Sequence, residues 1–505
     1  MFKLVLCLGI LPALQRSTPA KEEGEARSLP GVEFSIPSSY CEKPFSLKLT
    51  CPVVGAQLRY TVDGSEPNLS HGSDFRDSLV ISNTAVLRAT AFKEGVRVCS
   101  VGTRSYIFLD QVIHQGPRPA GFPVGWQGGR QAYEMSPSVV NDPLYRGRIK
   151  ESLRALPAMS VVFRPEDLFV PGTGISLHSL QRGERWERPC SVELIPGDGS
   201  PGFEINCGIR IQGNYNRIPE KSPKHSFRLF FKEKYGASKL RYPMFPDSAV
   251  KKFDTLVLRA DYNNSWVHWD SSGQVRAQRT RDAWLKDSHR AMGWLAGRNR
   301  YLHLYLNGVY WGVYDAAERP DASFAAAYQG GDREDYDVLN ENQVKAGTAE
   351  RFNNFQSIRR LGQYAQYKKL RQQLDITEYI DYLLLNYYAG NHDWGENKNW
   401  YAIGRRDPPS LFQYFVWDGE FILQRLNDDI VNASYEVPFY LAENLRANPE
   451  FRLAFADRVQ KHFFGEGALT PAACASRWMK RAAELDKAII AESARWGGYR
   501  RSPPY

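Results

Sequence analysis

The chain has 505 residues, 43% of them hydrophobic and 24% charged, more than one ordinary core holds, which predicts at least two domains. This composition excludes a disordered polymer, and no segment of the body reaches the roughly 18 consecutive apolar residues that a membrane-spanning helix needs. Sixty-five Lys and Arg against 56 Asp and Glu leave a formal charge of +9, which favours anionic partners in general; the charge is spread without a basic block, which argues against nucleic acid as a partner.

Taken in chain order, Met1 to Leu14 carries one Lys and then the apolar run LVLCLGILPAL. That run suits the hydrophobic part of a signal peptide and is too short to span a membrane, and no A-x-A cleavage site follows it. Residues 1–30 are read either as an export signal, with the protein secreted or held in the cell envelope, or as the ragged start of a fragment. The seven cysteines, at 7, 41, 51, 99, 190, 207 and 474, form no C-x-x-C pair, which argues against a zinc site. Cys41, Cys51 and Cys99 fall in one segment and Cys190 and Cys207 in another, so one disulfide in each, or buried free thiols throughout, both fit.

Residues 31–110 alternate short strands with turn chemistry: FSLKLTC, AQLRYTVDGSEP, SLVISNTAVLRATAFKEGV and TRSYIFL. Asp63-Gly64 before Pro67 marks a tight turn, and Tyr60 and Phe92 are assigned to the core. YTVDGSEP followed by TAVLRATAFKEG resembles the module at the C-terminus of chitobiases, called FN3-associated in bacterial surface proteins. The resemblance implies a β-sandwich appendage with cell-surface polysaccharide as its candidate ligand. Residues 111–150 are rich in Gly and Pro and suit an irregular linker or packed loop.

The remainder, 151–505, opens with strands at 156–163, 190–195, 207–213, 225–231 and 254–260. Their short connections predict a mainly antiparallel sheet, the smaller lobe of a bilobal enzyme. The loop GNYNRIPEKSPK carries Arg217, Lys221 and Lys224 and is either a phosphate cover or a solvated basic hairpin, with no Walker or G-x-G-x-x-G string in it. Lys224 opens a strand and is the candidate phosphate-pairing lysine. Residues 276–292 read as a helix whose Asp282 either anchors that lysine or is solvated. Residues 300–321 read as a hairpin turning at Asn307-Gly308, with Glu318 and Arg319 where the chain crosses between lobes.

ITEYIDYLLLNYYAGNHDWGENKNWY, at 376–401, is an apolar helix that releases His392, Asp393, Glu396, Asn397 and Asn399 at its end. A strand over 411–423 then delivers Asp418-Gly419. A carboxylate, an Asn and a second carboxylate in this order match what phosphoryl transfer requires: one orients the attacking hydroxyl and the others hold a divalent metal. His392 is read as a packing or hydrogen-bonding residue, Trp394 and Trp400 as walls of the site, and the chain after 449 as helical.

Read together, GIRIQGN, KHSFRLFFKEKYG, LHLYLNGVYWGVYDAAERPD, NHDWGENKNWY and FVWDGEFIL resemble the CotH kinase family over residues 155–465. The resemblance implies an α+β chain in which the N-terminal β-sandwich module precedes an atypical bilobal protein-kinase-like domain. It also implies ATP with Mg²⁺ or Mn²⁺, and transfer of the γ-phosphate to Ser or Thr of an envelope or extracellular protein. Asp393 then corresponds to the catalytic Asp and Asp418 to the metal-binding Asp. Asn397 or Asn399 is the second metal ligand; Lys224, with Arg217 and Lys221, contacts phosphate, and Glu318 touches the nucleotide. Conventional kinases place that Asn about five residues after the catalytic Asp, whereas Asn397 and Asn399 stand four and six after Asp393. Gly419 and Glu420 follow Asp418 where many relatives have Asp. A non-catalytic surface protein with a carbohydrate-binding β-sandwich is the alternative, and a sugar or small-molecule kinase on the same fold a third reading.

Overall fold

The computed structural model describes residues 29–126, 129–130, 133–395, 397–431 and 440–505; the N-terminal apolar run and Glu396 lie outside them. The chain is α+β. Its first module is a six-stranded sheet with two short two-stranded sheets. In the larger sheet, β1 (Ser39–Cys41), β4 (Gly102–Phe108), β3 (Ala85–Lys93) and β2 (Gln57–Thr61) are neighbours in that order, and only the β1–β4 pair is parallel. Leu87, Ala89 and Ala91 share a face of β3, as a two-residue period requires, and bury themselves with Leu47, Leu49, Ile81 and Tyr106. Gly64 has φ 80° at the turn read from Asp63-Gly64, and Ser65 N–H donates to the Asp63 carboxylate at 3.0 Å.

The other face of this sheet is also covered. Arg88, Thr90, Thr103 and Ser105 are all buried, because the module is docked on the next domain rather than tethered to it. The segment expected as a linker helps to join them: α1 (Leu109–Ile113), α2 (Pro137–Val140) and α3 (Ile149–Arg154) place Leu109, Val112, Val140, Ile149 and Leu153 in one apolar cluster with Tyr305, Tyr310 and Ile490.

The sheet expected as a small lobe is a closed seven-stranded barrel. Its strands run β5 (Ala158–Val162), β6 (Arg188–Ile195), β7 (Phe203–Gln212), β8 (Ser226–Phe230), β9 (Thr255–Arg259), then β11 (Val309–Ala317) and β10 (Asn299–Leu306), which pairs parallel with β5 to close the ring. Strict alternation fills the interior: Met159 and Val161, Val192 and Leu194, Ile209 and Ile211, Phe227 and Leu229, Leu256 and Leu258, and Leu302 and Leu304 belong to one core. The β10–β11 turn has positive φ at both Asn307 (44°) and Gly308 (80°), the form that a two-residue hairpin needs.

A second core surrounds α6 (Ile376–Tyr388), against which pack α4 (Arg281–Ala291) and a four-stranded antiparallel sheet. That sheet runs β13 (Gln343–Ala346), β12 (Tyr336–Asn340), β14 (Trp400–Arg405), β15 (Gln413–Val416). Between the barrel and this sheet the chain forms α5 (Ala322–Gln329), and it finishes in α7 (Pro449–Phe463), α8 (Pro471–Asp486) and α9 (Ile489–Glu492). No described helix is long and apolar enough to cross a membrane.

At the seam between module and barrel, Glu193 of β6 accepts from Ser38 Oγ and, at 2.6 Å, from Ser105 Oγ. Burial and the charge of Glu204 push its carboxyl up to about 8, although Arg104 lies 4.0 Å away. The folded value is above the unfolded one, so this group's contribution to stability is full below the ordinary carboxylate range and is lost as pH rises through about 8. Glu193→Gln is expected to flatten the fall in melting temperature between pH 6 and 9, measured by calorimetry on the full chain; an unchanged slope would place the titrating group elsewhere.

Candidate active site

The two carboxylates singled out from sequence reach the site from the same end of the second core, beyond the C-termini of α6 and β15, whose N-termini meet where the Asp375 N–H donates to the Phe412 carbonyl at 3.0 Å. Helix α6 starts where Asp375 accepts from the Glu378 N–H at 3.1 Å. It ends at Ala389, and Gly390 (φ 55°) turns the chain away. The polar loop is then pinned on both sides of Asp393: Asn391 Nδ2 donates to Asn386 Oδ1 at 2.9 Å, and Trp394 Nε1 donates to Tyr382 OH at 2.7 Å. Trp394 and Trp400 are therefore part of the core, while Asp393 stays half-buried. Asn399 (φ 63°) folds back and donates to the Asp393 carbonyl at 2.7 Å and its carboxylate at 3.0 Å. Asn397 is exposed and accepts from Asn342. His392 pairs with Asp428 at 2.9 Å.

Strand β15 delivers Asp418, which takes the left-handed conformation (φ 58°) that Asp tolerates better than most residues. Its Oδ1 accepts from Arg259 Nη2 at 2.6 Å, and the same nitrogen holds Glu420 at 2.5 Å. Arg259 also lies 3.7 Å from Asp282, which in turn binds Lys286 at 2.7 Å and the Gly419 N–H at 3.0 Å. A Cβ at 419 would meet Leu285 of α4 at 2.5 Å, so any larger residue there requires the Leu285 side chain to move. Burial opposes ionisation of Asp282, yet Arg259 and Lys286 hold its carboxyl well below the usual range.

Asp393 and Asp418 influence one another: burial, and then the charge of Asp418, push the Asp393 carboxyl above its ordinary value, while Lys398 Nζ lies 3.6 Å from it. Two carboxylates and the neighbouring Asn399 amide form an oxygen-donor set of the kind a hard divalent cation takes, and such a cation would relieve their repulsion. Among the described residues no three or more His, Cys, Asp or Glu gather into a metal cluster. The other ligands of such an ion would therefore be amide, water and substrate oxygens.

The cations expected to meet phosphate are placed otherwise. Lys224 is fully buried, donating to Glu492 and to the Val313 carbonyl, both at 2.7 Å. Burial and the neighbouring Arg279 lower its pKa to about 7. The anchor is thus Glu492 of α9, where the sequence pointed to Asp282. Arg217 gives its guanidinium to the carbonyls of Gly213, Ser179, Gln181 and Ile211, so it shapes the loop. Lys221 Nζ sits 4.2 Å over the Tyr215 ring and 5.2 Å over Trp269. Glu318 is buried, accepting from Tyr328 OH at 2.8 Å and the Arg298 N–H at 3.0 Å, and burial raises its carboxyl to about 7.

Sequence reasoning missed the groups that hold the site. Arg259 and Asp261 sit at the end of a strand read only as apolar, and Arg279 bridges Asp261 (3.1 Å) to Glu492 (2.5 Å). It also missed a second set of cations. Arg319 Nε donates to Tyr401 OH at 2.6 Å, two residues beyond Asn399, and the Tyr401 ring packs on Trp417, next to Asp418. Partial burial and the charges of Arg319 and Arg182 hold Lys345 below its usual value. None of Arg182, Arg319 and Lys345 has a salt bridge to a carboxylate among the described residues. A charged residue after a strand was the only available signal, and it was present at Arg319 alone.

Fold and site together describe an α+β protein with a barrel, a second core, and two carboxylates and an Asn amide gathered at one end of that core. The chain belongs to the CotH kinase protein family, whose model matches residues 209–503. Residues 36–102 match the chitobiase/beta-hexosaminidase C-terminal domain. A search of the curated proteins found no match to the chain. Membership of this family points to a kinase-type enzyme.

Removing Lys224 leaves the buried Glu492 with the Arg279 guanidinium and the Val313 N–H. Lys224→Met is expected to destabilise the chain by about 3 kcal/mol, measured by urea unfolding. Unchanged stability together with lost nucleotide binding would instead give Lys224 the phosphate-contacting role.

Proposed function

We propose that the chain is an atypical, bilobal kinase-like enzyme that transfers the γ-phosphate of ATP, with Mg²⁺ or Mn²⁺, to Ser or Thr of an envelope or extracellular protein. The observation that carries this reading is the Asp393–Asp418 pair with Asn399 beside it, set in a chain of the CotH kinase family. In this reading the barrel acts as the smaller lobe and the α6 core as the larger one.

The roles follow from the geometry. Asp393, half-exposed and with its carboxyl raised, accepts the proton of the acceptor hydroxyl as that oxygen bonds to the γ-phosphorus and ADP leaves. Asp418 and Asn399 would hold the metal, which neutralises phosphate charge. Asn399 is preferred to Asn397 because it touches Asp393. Arg319, Lys345 and Arg182 are the cations free to meet phosphate, since Lys224 and Arg217 are already committed inside the fold. The apolar run at the N-terminus supports an exported setting. The first module supports anchoring to cell-surface polysaccharide, with Phe92 buried and Tyr60 packed on Phe75 as core residues rather than sugar platforms.

One observation favours the non-catalytic alternative: Arg259 already occupies an oxygen of Asp418. The two readings separate on transfer of label from γ-labelled ATP to a Ser-rich peptide in the presence of Mg²⁺ or Mn²⁺. The wild-type chain is expected to label the peptide, and Asp393→Ala to lose about a thousandfold in rate while binding nucleotide nearly as well. Absence of both labelling and metal-dependent nucleotide binding in the wild type would support the scaffold reading. In the same assay Arg319→Ala is expected to raise the KM for ATP more than it lowers kcat; an unchanged KM would remove Arg319 from the phosphate site.

A further inference from the structure

Four of the six described cysteines stand in two facing pairs, and each pair joins parts of one module. Cys51 follows the short strand Leu49–Thr50, and Cys99 lies between β3 and β4. Their Sγ atoms are 2.8 Å apart, closer than unbonded sulfurs normally approach, although the residues are 48 apart in sequence. Cys190 and Cys207 are directly opposed on the antiparallel strands β6 and β7, with Sγ atoms 3.5 Å apart. Cys41 instead contacts Ser39, and Cys474 contacts the Ala468 carbonyl and the Arg477 guanidinium.

We infer that Cys51–Cys99 and Cys190–Cys207 are disulfide-forming pairs, and that the mature protein carries both bonds. This inference does not depend on the kinase reading. Two pairs brought together by the fold, with a polar contact for each remaining described thiol, match the cysteine usage of a protein that folds in an oxidising compartment. Each bond forms by thiol–disulfide exchange. A thiolate of the pair attacks a disulfide-bearing oxidant to form a mixed disulfide, the partner thiolate then attacks the protein sulfur of that mixed disulfide and displaces the oxidant's thiolate, and the oxidant leaves as a dithiol; two protons and two electrons leave each cysteine pair.

The two pairs differ in access, which sets an order. Cys51 is half-buried and Cys99 fully buried. Burial and then the neighbouring Cys51 push the Cys99 thiol up to about 12, so exchange with solvent enters at Cys51. Cys190 and Cys207 are both inside the barrel core, so their bond has to form before the barrel closes, and the folded barrel then shields it from reductant.

The test is disulfide mapping of the full chain, expressed with export to a bacterial periplasm, alkylated before any reduction and digested without reductant. Expected are one linked peptide joining Cys51 to Cys99 and another joining Cys190 to Cys207, each two hydrogens lighter than its separate peptides, with Cys41 and Cys474 alkylated. Dithiothreitol on the folded protein is expected to open the first bond, while the second opens only in denaturant. Alkylated Cys51 and Cys99 in the folded, exported chain, or a bond from either of them to another cysteine, would overturn the inference for the first module. The same result at Cys190 and Cys207 would overturn it for the barrel. Cys190 lies inside the barrel core, so Cys51→Ser is the informative variant: it should lose the first bond alone and become more heat-labile only under non-reducing conditions. Equal melting of Cys51→Ser and wild type without reductant would show that the first bond is absent.

Discussion

Arg259 ends a barrel strand with its guanidinium between Asp418, Glu420 and Asp282, and the rest of the site depends on that ion group. Burying such charges is costly, and breaking one pair leaves its partner uncompensated, a loss of about 3–5 kcal/mol. The group therefore behaves as a unit. Through the Gly419 N–H bond to Asp282 it fixes the short turn on which Asp418 sits, in a left-handed conformation that packing must enforce. Asp261, two residues on and also left-handed, continues the charge pairing through Arg279 to Glu492 and Lys224. A barrel strand, helix α4, the Asp418 turn and the last helix are thus tied by one buried array.

This array explains which charges remain for chemistry. Its cations, Arg259, Arg279, Lys224 and Lys286, all have buried acidic partners. Asp393 lies outside it, in a loop pinned by Asn391 and Trp394, and accepts from Asn399. Arg259 pairs with Asp418, and Lys398 Nζ lies 3.6 Å from Asp393, so a divalent cation between these two carboxylates would join charges that are already partly met. The first module adds a different constraint. Glu193 and Glu204 of the barrel meet Ser38, Arg104 and Ser105 of the module, so any polysaccharide held there would be at a fixed distance from the site.

Much of this was legible in the sequence where the signal is local. Period-two alternation located the barrel strands, Asn307-Gly308 the hairpin, and Ala389-Gly390 the end of α6 with its polar loop. The mainly antiparallel sheet was read without its closure, because closure depends on the parallel pairing of β10 with β5, strands more than a hundred residues apart. The Gly/Pro-rich segment contained short helices whose apolar residues only make sense once Tyr305, Tyr310 and Ile490 are beside them. The surroundings of Lys224 were hidden for the same reason: nothing near it in sequence reveals Glu492, 268 residues away. Asn397 and Asn399 could not be told apart in the sequence because the positive φ that folds Asn399 back onto Asp393 has no local signature.

The central claim is that Asp393 and Asp418 form a nucleotide-linked divalent site. Electron paramagnetic resonance of Mn²⁺ titrated into the full chain, with and without a non-hydrolysable ATP analogue, tests it directly. The account predicts Mn²⁺ binding that tightens with the analogue and weakens at least about tenfold in Asp418→Ala. Mn²⁺ binding that ignores both the analogue and the substitution would contradict it.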